Sequence, residues 1–297
     1  TQIVEEDDKR FMVHLSKTTD GSYLIIYQLN SSSETTEVRY LDLQEENPTL
    51  NLFFERKEGT ELAVEHHEGY FYFLTNHEEQ EDFRLMRTPV ENLESASWEP
   101  VIDRCFEASR LLWEGQLIAF RNHLVILSRE RGYSALTVYD IESQEMHDIE
   151  IPGEIYDISL YLPGMATVFY LQNPDYYAEI VRFYYSSLIT PRTTYDYDMR
   201  TRTLKSKKVE EIAGFDPSEY ITERIYATAR DNTQIPISLA FSRNLRNGDA
   251  PVLLYGYGAY GSSYNPGFDH KRISLLERGI IIGIAHVRGG GEFGKRW

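Results

Sequence analysis

The segment Tyr70-Phe-Tyr-Phe-Leu74, followed by Phe83-Arg-Leu-Met-Arg87, decides how the first two thirds of the chain fold. The first run is rich in the aromatic residues that favour strands, and a polar stretch separates it from the second run. Two short strands joined by a polar turn are typical of an antiparallel hairpin. The segment therefore predicts local β structure.

This pair of strands recurs along the chain. The first strands of the pairs begin at residues 23, 70, 123 and 180, which are 47, 53 and 57 residues apart. Short strands repeating about every 50 residues predict propeller blades of four strands each. A β-sandwich with coincidental spacing is the alternative. The other runs are Tyr23-Leu-Ile-Ile-Tyr27 with Val38-Arg-Tyr-Leu-Asp42, His123-Leu-Val-Ile-Leu127 with Leu136-Thr-Val-Tyr-Asp140, and Ile180-Val-Arg-Phe-Tyr184 with Thr194-Tyr-Asp-Tyr-Asp198.

The pattern changes near residue 214, which predicts two domains, 1–213 and 214–297. The segment 201–211 is interpreted as the exit from the last repeat, and two strands are predicted at 221–228 and 235–241. The apolar run 251–255 predicts a strand covered on both faces. A helix at 272–277 and a second buried strand at 280–285 follow it, and strand, loop, helix, strand is the beginning of an α/β domain.

Composition excludes several classes of protein. The chain has 297 residues, 30 Lys and Arg against 47 Asp and Glu, and a formal charge of −17. This charge repels phosphate backbones and argues against nucleic-acid binding. The single cysteine, Cys105, cannot form an intrachain disulfide, and a reducing, cytoplasmic location is expected. We find neither a signal peptide nor an apolar run long enough for a membrane helix.

A few residues are candidates for chemistry. The string Gly256-x-Gly258-x-x-Gly261 follows a strand like a dinucleotide fingerprint, but Pro266-Gly267 prevents a helix from starting there. The chain contains no Gly-x-Ser-x-Gly nucleophile motif. His66, His67 and His77 are interpreted as solvated turn residues, and no metal site is predicted. His286, at the end of a strand, is interpreted as a packing or supporting residue rather than a base.

Several motifs together resemble the prolyl oligopeptidase family, and within it the oligopeptidase B (protease II) group. The resemblance is dense from about residue 180 onward. The motifs are Leu254-Tyr-Gly-Tyr-Gly-Ala-Tyr-Gly261, Arg272-Ile-Ser-Leu-Leu-Glu-Arg-Gly279, Ile284-Ala-His-Val-Arg-Gly-Gly-Gly-Glu-Phe-Gly294, Tyr185-Ser-Ser-Leu-Ile-Thr-Pro191, Tyr195-Asp-Tyr-Asp-Met199 and Ala227-Thr-Ala-Arg-Asp231.

The resemblance implies a mainly β chain: a partial seven-bladed β-propeller of about four blades, followed by the start of an α/β-hydrolase domain. It implies a serine peptidase without a cofactor that hydrolyses short peptides by Ser-Asp-His acyl transfer. Tyr257 would donate its hydroxyl to the oxyanion, and Tyr260 would contact the substrate. The nucleophilic Ser, the Asp and the His would follow Trp297, so these residues alone are expected to be an inactive internal fragment.

The resemblance leaves the cleaved residue open. Oligopeptidase B carries acidic residues shortly after the tyrosine motif, whereas Asn265-Pro-Gly267 stands here and Asp269 is offset. Cleavage after basic residues is expected, and cleavage after proline is the alternative. A propeller interaction protein with a vestigial hydrolase segment is a rival from another class, and a nucleotide-binding propeller is a second. A monomer or weak oligomer that acts on short peptides is expected, with no nucleic-acid or membrane partner.

Overall fold

The computed structural model describes residues 3–30, 34–78, 81–108, 111, 116–160, 173–244 and 250–297. Strands dominate this part of the chain. Its one α-helix with both ends described is α1 (Ile273–Glu277). The strands are β1 (Phe11–Lys17), β2 (Tyr23–Asn30), β3 (Thr36–Asp42), β4 (Asn51–Phe54), β5 (Leu62–His67), β6 (Tyr70–Thr75), β7 (Phe83–Pro89), β8 (Glu99–Phe106), β9 (Gln116–Ala119), β10 (His123–Glu130), β11 (Tyr133–Asp140), β12 (Met146–Asp148), β13 (Asp157–Ser159), β14 (Ile180–Ser186), β15 (Thr193–Asp198), β16 (Thr203–Val209), β17 (Tyr220–Thr228), β18 (Gln234–Ser242), β19 (Val252–Tyr255) and β20 (Ile281–Ala285).

The first sixteen strands form sheets of four strands each, and every sheet is an antiparallel meander in chain order. The sheets are β1–β4, β5–β8, β9–β12 and β13–β16. The hairpins predicted from the sequence are the second and third strands of each sheet, and these inner strands carry most of the apolar residues. The prediction of four-stranded repeats is therefore confirmed.

Each sheet buries its apolar face against the next sheet in the chain. Phe71 and Phe73 of β6 pack with Tyr23 and Ile25 of β2, which joins the first two sheets. A second cluster joins the β5–β8 and β9–β12 sheets, and a third joins the β9–β12 and β13–β16 sheets. Face-to-face packing of successive four-stranded meanders is the arrangement of propeller blades.

The last sheet has a different topology. Its strand order is β17-β18-β20-β19, so β20 lies between β18 and β19. β19 and β20 are parallel, and the connection between them contains α1. The predicted strands, the helix and the parallel pairing are thus present in the structure.

Three interpretations from the sequence are wrong. The segment 201–211 is not an exit, because its residues form β16, the outer strand of the fourth sheet. β19 is not covered on both faces, because Val252 and Leu254 are more than half exposed. His66 and His67 do not lie in solvated turns, because both are buried on β5.

Candidate active-site loop

Two glycine-containing loops follow the two parallel strands. Residues 256–261, here called the tyrosine loop, follow β19, and residues 288–292, here called the glycine loop, follow β20. The carboxyl ends of parallel strands lie at the same edge of a sheet, and ligands of open α/β sheets bind at that edge. The two loops are therefore the best candidate site in the described chain.

The two loops touch through their backbones. Gly258 has a φ of +66°, and a Cβ at this position would lie 2.6 Å from Val287 Cγ2 and 2.7 Å from the carbonyl oxygen of Arg288. A Cβ at Gly289 would overlap the carbonyl oxygen of Gly258, and the Gly261 amide donates to the Gly289 carbonyl at 2.9 Å. Glycine at 258 and 289 is what allows this close approach.

Both predicted site tyrosines lie on the tyrosine loop with their rings accessible. Tyr257 is 58% exposed and Tyr260 is 75% exposed. Tyr260 also has a positive φ of 58°, which is uncommon for a residue with a large side chain. The structure thus brings both tyrosines to the carboxyl edge of the parallel strands. The roles predicted for them remain predictions.

The string of glycines does not open a helix. Residues 262–269 are irregular, and the first helical turn begins at His270. A dinucleotide site needs a helix N-terminus directly after the glycines, which this loop does not provide. Within the described ranges, no group of three or more His, Cys, Asp or Glu side chains is placed to hold a metal ion.

The sequence did not reveal a buried polar cluster beneath the glycine loop. His286 Nε2 lies 2.8 Å from Ser238 Oγ, and His286 Nδ1 lies 3.6 Å from Glu292 Oε1. The expectation that His286 supports its surroundings agrees with its burial. In the sequence, Glu292 stands out only as part of the Gly-Gly-Gly-Glu motif. No local pattern points to Ser238, because its partner His286 is 48 residues away.

The candidate site is also tied to the four-stranded sheets. Lys295 Nζ lies 2.7 Å from Glu61 Oε1, and Arg129 Nη2 donates to Asn265 Oδ1 at 2.8 Å. Gly132, in the turn between β10 and β11, lies close to the Phe293 ring. The segment 288–297 therefore contacts the tyrosine loop on one side and the four-stranded sheets on the other.

Comparison with known families identifies the chain. Residues 1–210 match the family described as "Prolyl oligopeptidase, N-terminal beta-propeller domain". The chain belongs to the prolyl oligopeptidase family. The four-stranded sheets within residues 1–210 thus lie in the propeller region of this family.

The most informative relatives of this prolyl oligopeptidase family member are peptidases. Protease 2 of Moraxella lacunata is 35% identical over 297 residues, which cover 99% of this chain and 40% of that protein. Dipeptidyl aminopeptidase BI of Pseudoxanthomonas mexicana is 28% identical over 99% of this chain and 39% of that protein. The solved structure of oligopeptidase B from Leishmania major superposes with a TM-score of 0.87 at 28% identity, covering 99% of this chain and 41% of that one.

The resemblance to oligopeptidase B, stated from the motifs, is confirmed by these comparisons. The chain spans about 40% of the length of the curated relatives that it matches. Among the described residues, none of the helices has the length and hydrophobicity needed to cross a lipid bilayer.

Proposed function

We propose that the chain is part of a serine peptidase of the oligopeptidase B type, which hydrolyses short peptides by acyl transfer. Tyr257 donates its hydroxyl to the oxyanion of the tetrahedral intermediate. The observation that carries this proposal is the position of an exposed Tyr257 at the carboxyl edge of the parallel β19–β20 pair, in a chain of the prolyl oligopeptidase family. A fixed donor of this kind contributes about 3 kcal/mol to transition-state stabilisation.

Residues 214–297 are proposed to begin the α/β-hydrolase domain, and residues 1–213 to form the propeller part. The parallel β19–β20 pair and the helix in its connection support this division. The exposed Val252 and Leu254 of β19 support it as well, because parallel strands are normally covered on both faces. Further helices of a complete α/β domain would cover them.

The nucleophile and the general base are proposed to lie in the part of the relatives that these residues do not span. Ser238 is hydrogen-bonded to a histidine but is fully buried on β18, so a peptide carbonyl has no access to it. Acyl transfer needs an accessible serine within reach of its base. These 297 residues alone are therefore expected to be inactive.

Cleavage after basic residues is the proposed specificity, with cleavage after proline as the alternative. The net charge of −17 favours approach of basic peptides. Asp269 does not support recognition of paired basic residues, because it accepts from the Lys271 amide at 3.0 Å and lies 4.0 Å from Arg272 Nε.

Tyr260 is proposed to contact the substrate. The enzyme is proposed to be cytoplasmic, to need no cofactor, and to be a monomer or a weak oligomer.

The substitution Tyr257→Phe in the whole enzyme tests this function. Removing one oxyanion donor should lower kcat roughly 10- to 1000-fold, while KM changes little. Hydrolysis of fluorogenic peptides with Arg or Pro before the scissile bond measures both constants and separates the two specificities. Tyr226→Phe, the same change at a 60% exposed tyrosine on β17, is the matched control. A Tyr257→Phe enzyme with unchanged kcat would remove the assigned role.

A further inference from the structure

Ser238, His286 and Glu292 form a polar cluster that is sealed from solvent. Their exposed fractions are 0%, 1% and 2%. The Ser238 hydroxyl and His286 Nε2 are 2.8 Å apart, and the Glu292 carboxylate lies 3.6 Å from the other ring nitrogen of the histidine. The order serine, histidine, carboxylate resembles a hydrolytic triad, but its burial excludes contact with a substrate. The cluster must act, if at all, on the residues that pack around it.

The Glu292 carboxylate is the centre from which this cluster contacts both loops. Its Oε1 accepts from the amide of Tyr264 at 3.1 Å, three residues after the tyrosine loop. A Cβ at Gly290 would overlap Glu292 Oε2, so the glycine loop lies directly against the carboxylate. Burial raises the pKa of Glu292, but the contacts with His286 and with the Tyr264 amide lower it by more, so the pKa stays below its usual value. The group is therefore ionised at neutral pH.

The glycine loop links the Glu292 carboxylate to the tyrosine loop. Gly289 adjoins Gly290 and touches the backbone of Gly258, and its carbonyl accepts from the Gly261 amide at 2.9 Å. Gly258 is the residue next to Tyr257. A shift of the glycine loop must therefore move the backbone that carries the Tyr257 phenol. A misplacement of about 1 Å at a reacting centre can cost roughly 100-fold in rate.

We propose that Glu292, which lies beside His286 and through it near Ser238, is a positioning residue that fixes the place of the Tyr257 hydroxyl. The inference rests on the proposed function, because it gives Glu292 no role except through Tyr257. Glu292 touches neither the substrate nor the reacting atoms. Its carboxylate holds the Tyr264 amide and supports the glycine loop, and these two contacts hold the tyrosine loop from both sides.

A double-mutant cycle in the whole enzyme tests the proposal, with kcat and KM measured on the fluorogenic Arg-peptide. Glu292→Gln should lower kcat roughly 10- to 100-fold with little change in KM. The same substitution in a Tyr257→Phe background should cause no further loss, because the donor that Glu292 positions is already gone. A residue with a merely structural role would lower kcat by the same factor in both backgrounds.

The outcomes separate this inference from the proposed function. If Tyr257→Phe lowers kcat, but Glu292→Gln leaves kcat unchanged or lowers it by the same factor in both backgrounds, only the positioning role is overturned. If Tyr257→Phe has no effect, the proposed function fails and the positioning role fails with it. Glu277→Gln, the same change at an exposed position of α1, should leave kcat unchanged.

A milder variant keeps the test usable if Glu292→Gln does not fold. Ser238→Ala removes only the hydroxyl that contacts His286 Nε2 and changes no residue of the glycine loop. It should lower kcat by a smaller factor that also disappears in the Tyr257→Phe background. A loss that persists in that background would overturn the proposal.

Discussion

Glu65 is a carboxylic acid that the fold removes from water. It lies on β5 and is 4% exposed, and its two oxygens accept from the amide and the hydroxyl of Thr19 at 2.9 and 3.0 Å. Burial raises the pKa of Glu65 to about 8, against its hydrogen bonds to Thr19, which lower it. The side chain is therefore mostly protonated at pH 7 and joins the first and second sheets as a neutral group.

The Glu65→Gln substitution should change how stability depends on pH. The folded protein keeps the Glu65 proton to about pH 8, whereas an ordinary glutamate has a pKa of 4.5, so the folded state binds more protons between these values. The free energy of unfolding should therefore fall as pH rises from 5 to 8, by at most about 1.4 kcal/mol per pH unit. Glutamine cannot titrate and should remove this slope.

Urea unfolding at several pH values between 5 and 8 measures the Glu65 contribution as the difference between wild type and Glu65→Gln. Glu58→Gln, at an exposed position before β5, is the control and should keep the wild-type slope. Parallel pH curves for wild type and Glu65→Gln would contradict a buried, protonated carboxyl.

At the scale of elements, aromatic side chains on the inner strands hold neighbouring sheets together. Phe71 of β6 is completely buried and packs edge-on against three rings of the first sheet. Its ring centroid lies 4.9 Å from that of Tyr23 and 5.3 Å from those of Tyr40 and Phe53. The aromatic runs that revealed the repeat in the sequence are thus the contacts that join one sheet to the next.

The Phe71→Ala substitution should destabilise the protein by about 3–5 kcal/mol, because it removes a buried ring and leaves a cavity between two sheets. Leu15→Ala on β1 provides the comparison, since Leu15 is 53% exposed. It should cost less than about 0.5 kcal/mol. Chemical unfolding followed by tryptophan fluorescence measures both. Equal losses would show that the sheets do not depend on this contact.

The elements that could be predicted from the sequence are those whose buried residues form a clear apolar pattern. The inner strands could be predicted because their apolar runs face a core. β16 was missed because its residues are almost all exposed and three of the seven are lysines, so its strand character comes from pairing with β15. The burial of His66 and His67 was missed because their hydrogen-bonding partners, Asp20 and Tyr176, are distant in the chain.

At the scale of the whole molecule, the segment 288–297 joins the candidate site to the four-stranded sheets. Glu61 is 2% exposed; its Oε1 pairs with Lys295 and its Oε2 accepts from the Leu111 amide at 2.8 Å. Burial raises the pKa of Glu61, and the Lys295 ammonium opposes this by lowering it. Arg296 forms a second, exposed pair with Glu81.

The Lys295→Ala substitution should destabilise the protein by about 3 kcal/mol, because it leaves the Glu61 carboxylate buried without a counter-charge. Adding Glu61→Gln should recover part of this loss. The side-chain oxygen of the glutamine can still accept from the Leu111 amide, and the glutamine carries no charge. Arg296→Ala breaks only the exposed pair and should cost less than about 1 kcal/mol. Urea unfolding compares wild type, the single variants Lys295→Ala, Glu61→Gln and Arg296→Ala, and the double variant. Additive losses for Lys295→Ala and Glu61→Gln would contradict the pairing.

The repeated hairpins, the change of pattern near residue 214 and the tyrosine motif could be predicted because each depends on residues close together in the chain. Which groups meet at the candidate site depends instead on how distant strands pair. β20 lies between β18 and β19, and this strand order brings His286 beside Ser238. The contact between Lys295 and Glu61 likewise depends on how the sheets pack, and no local sequence pattern predicts it.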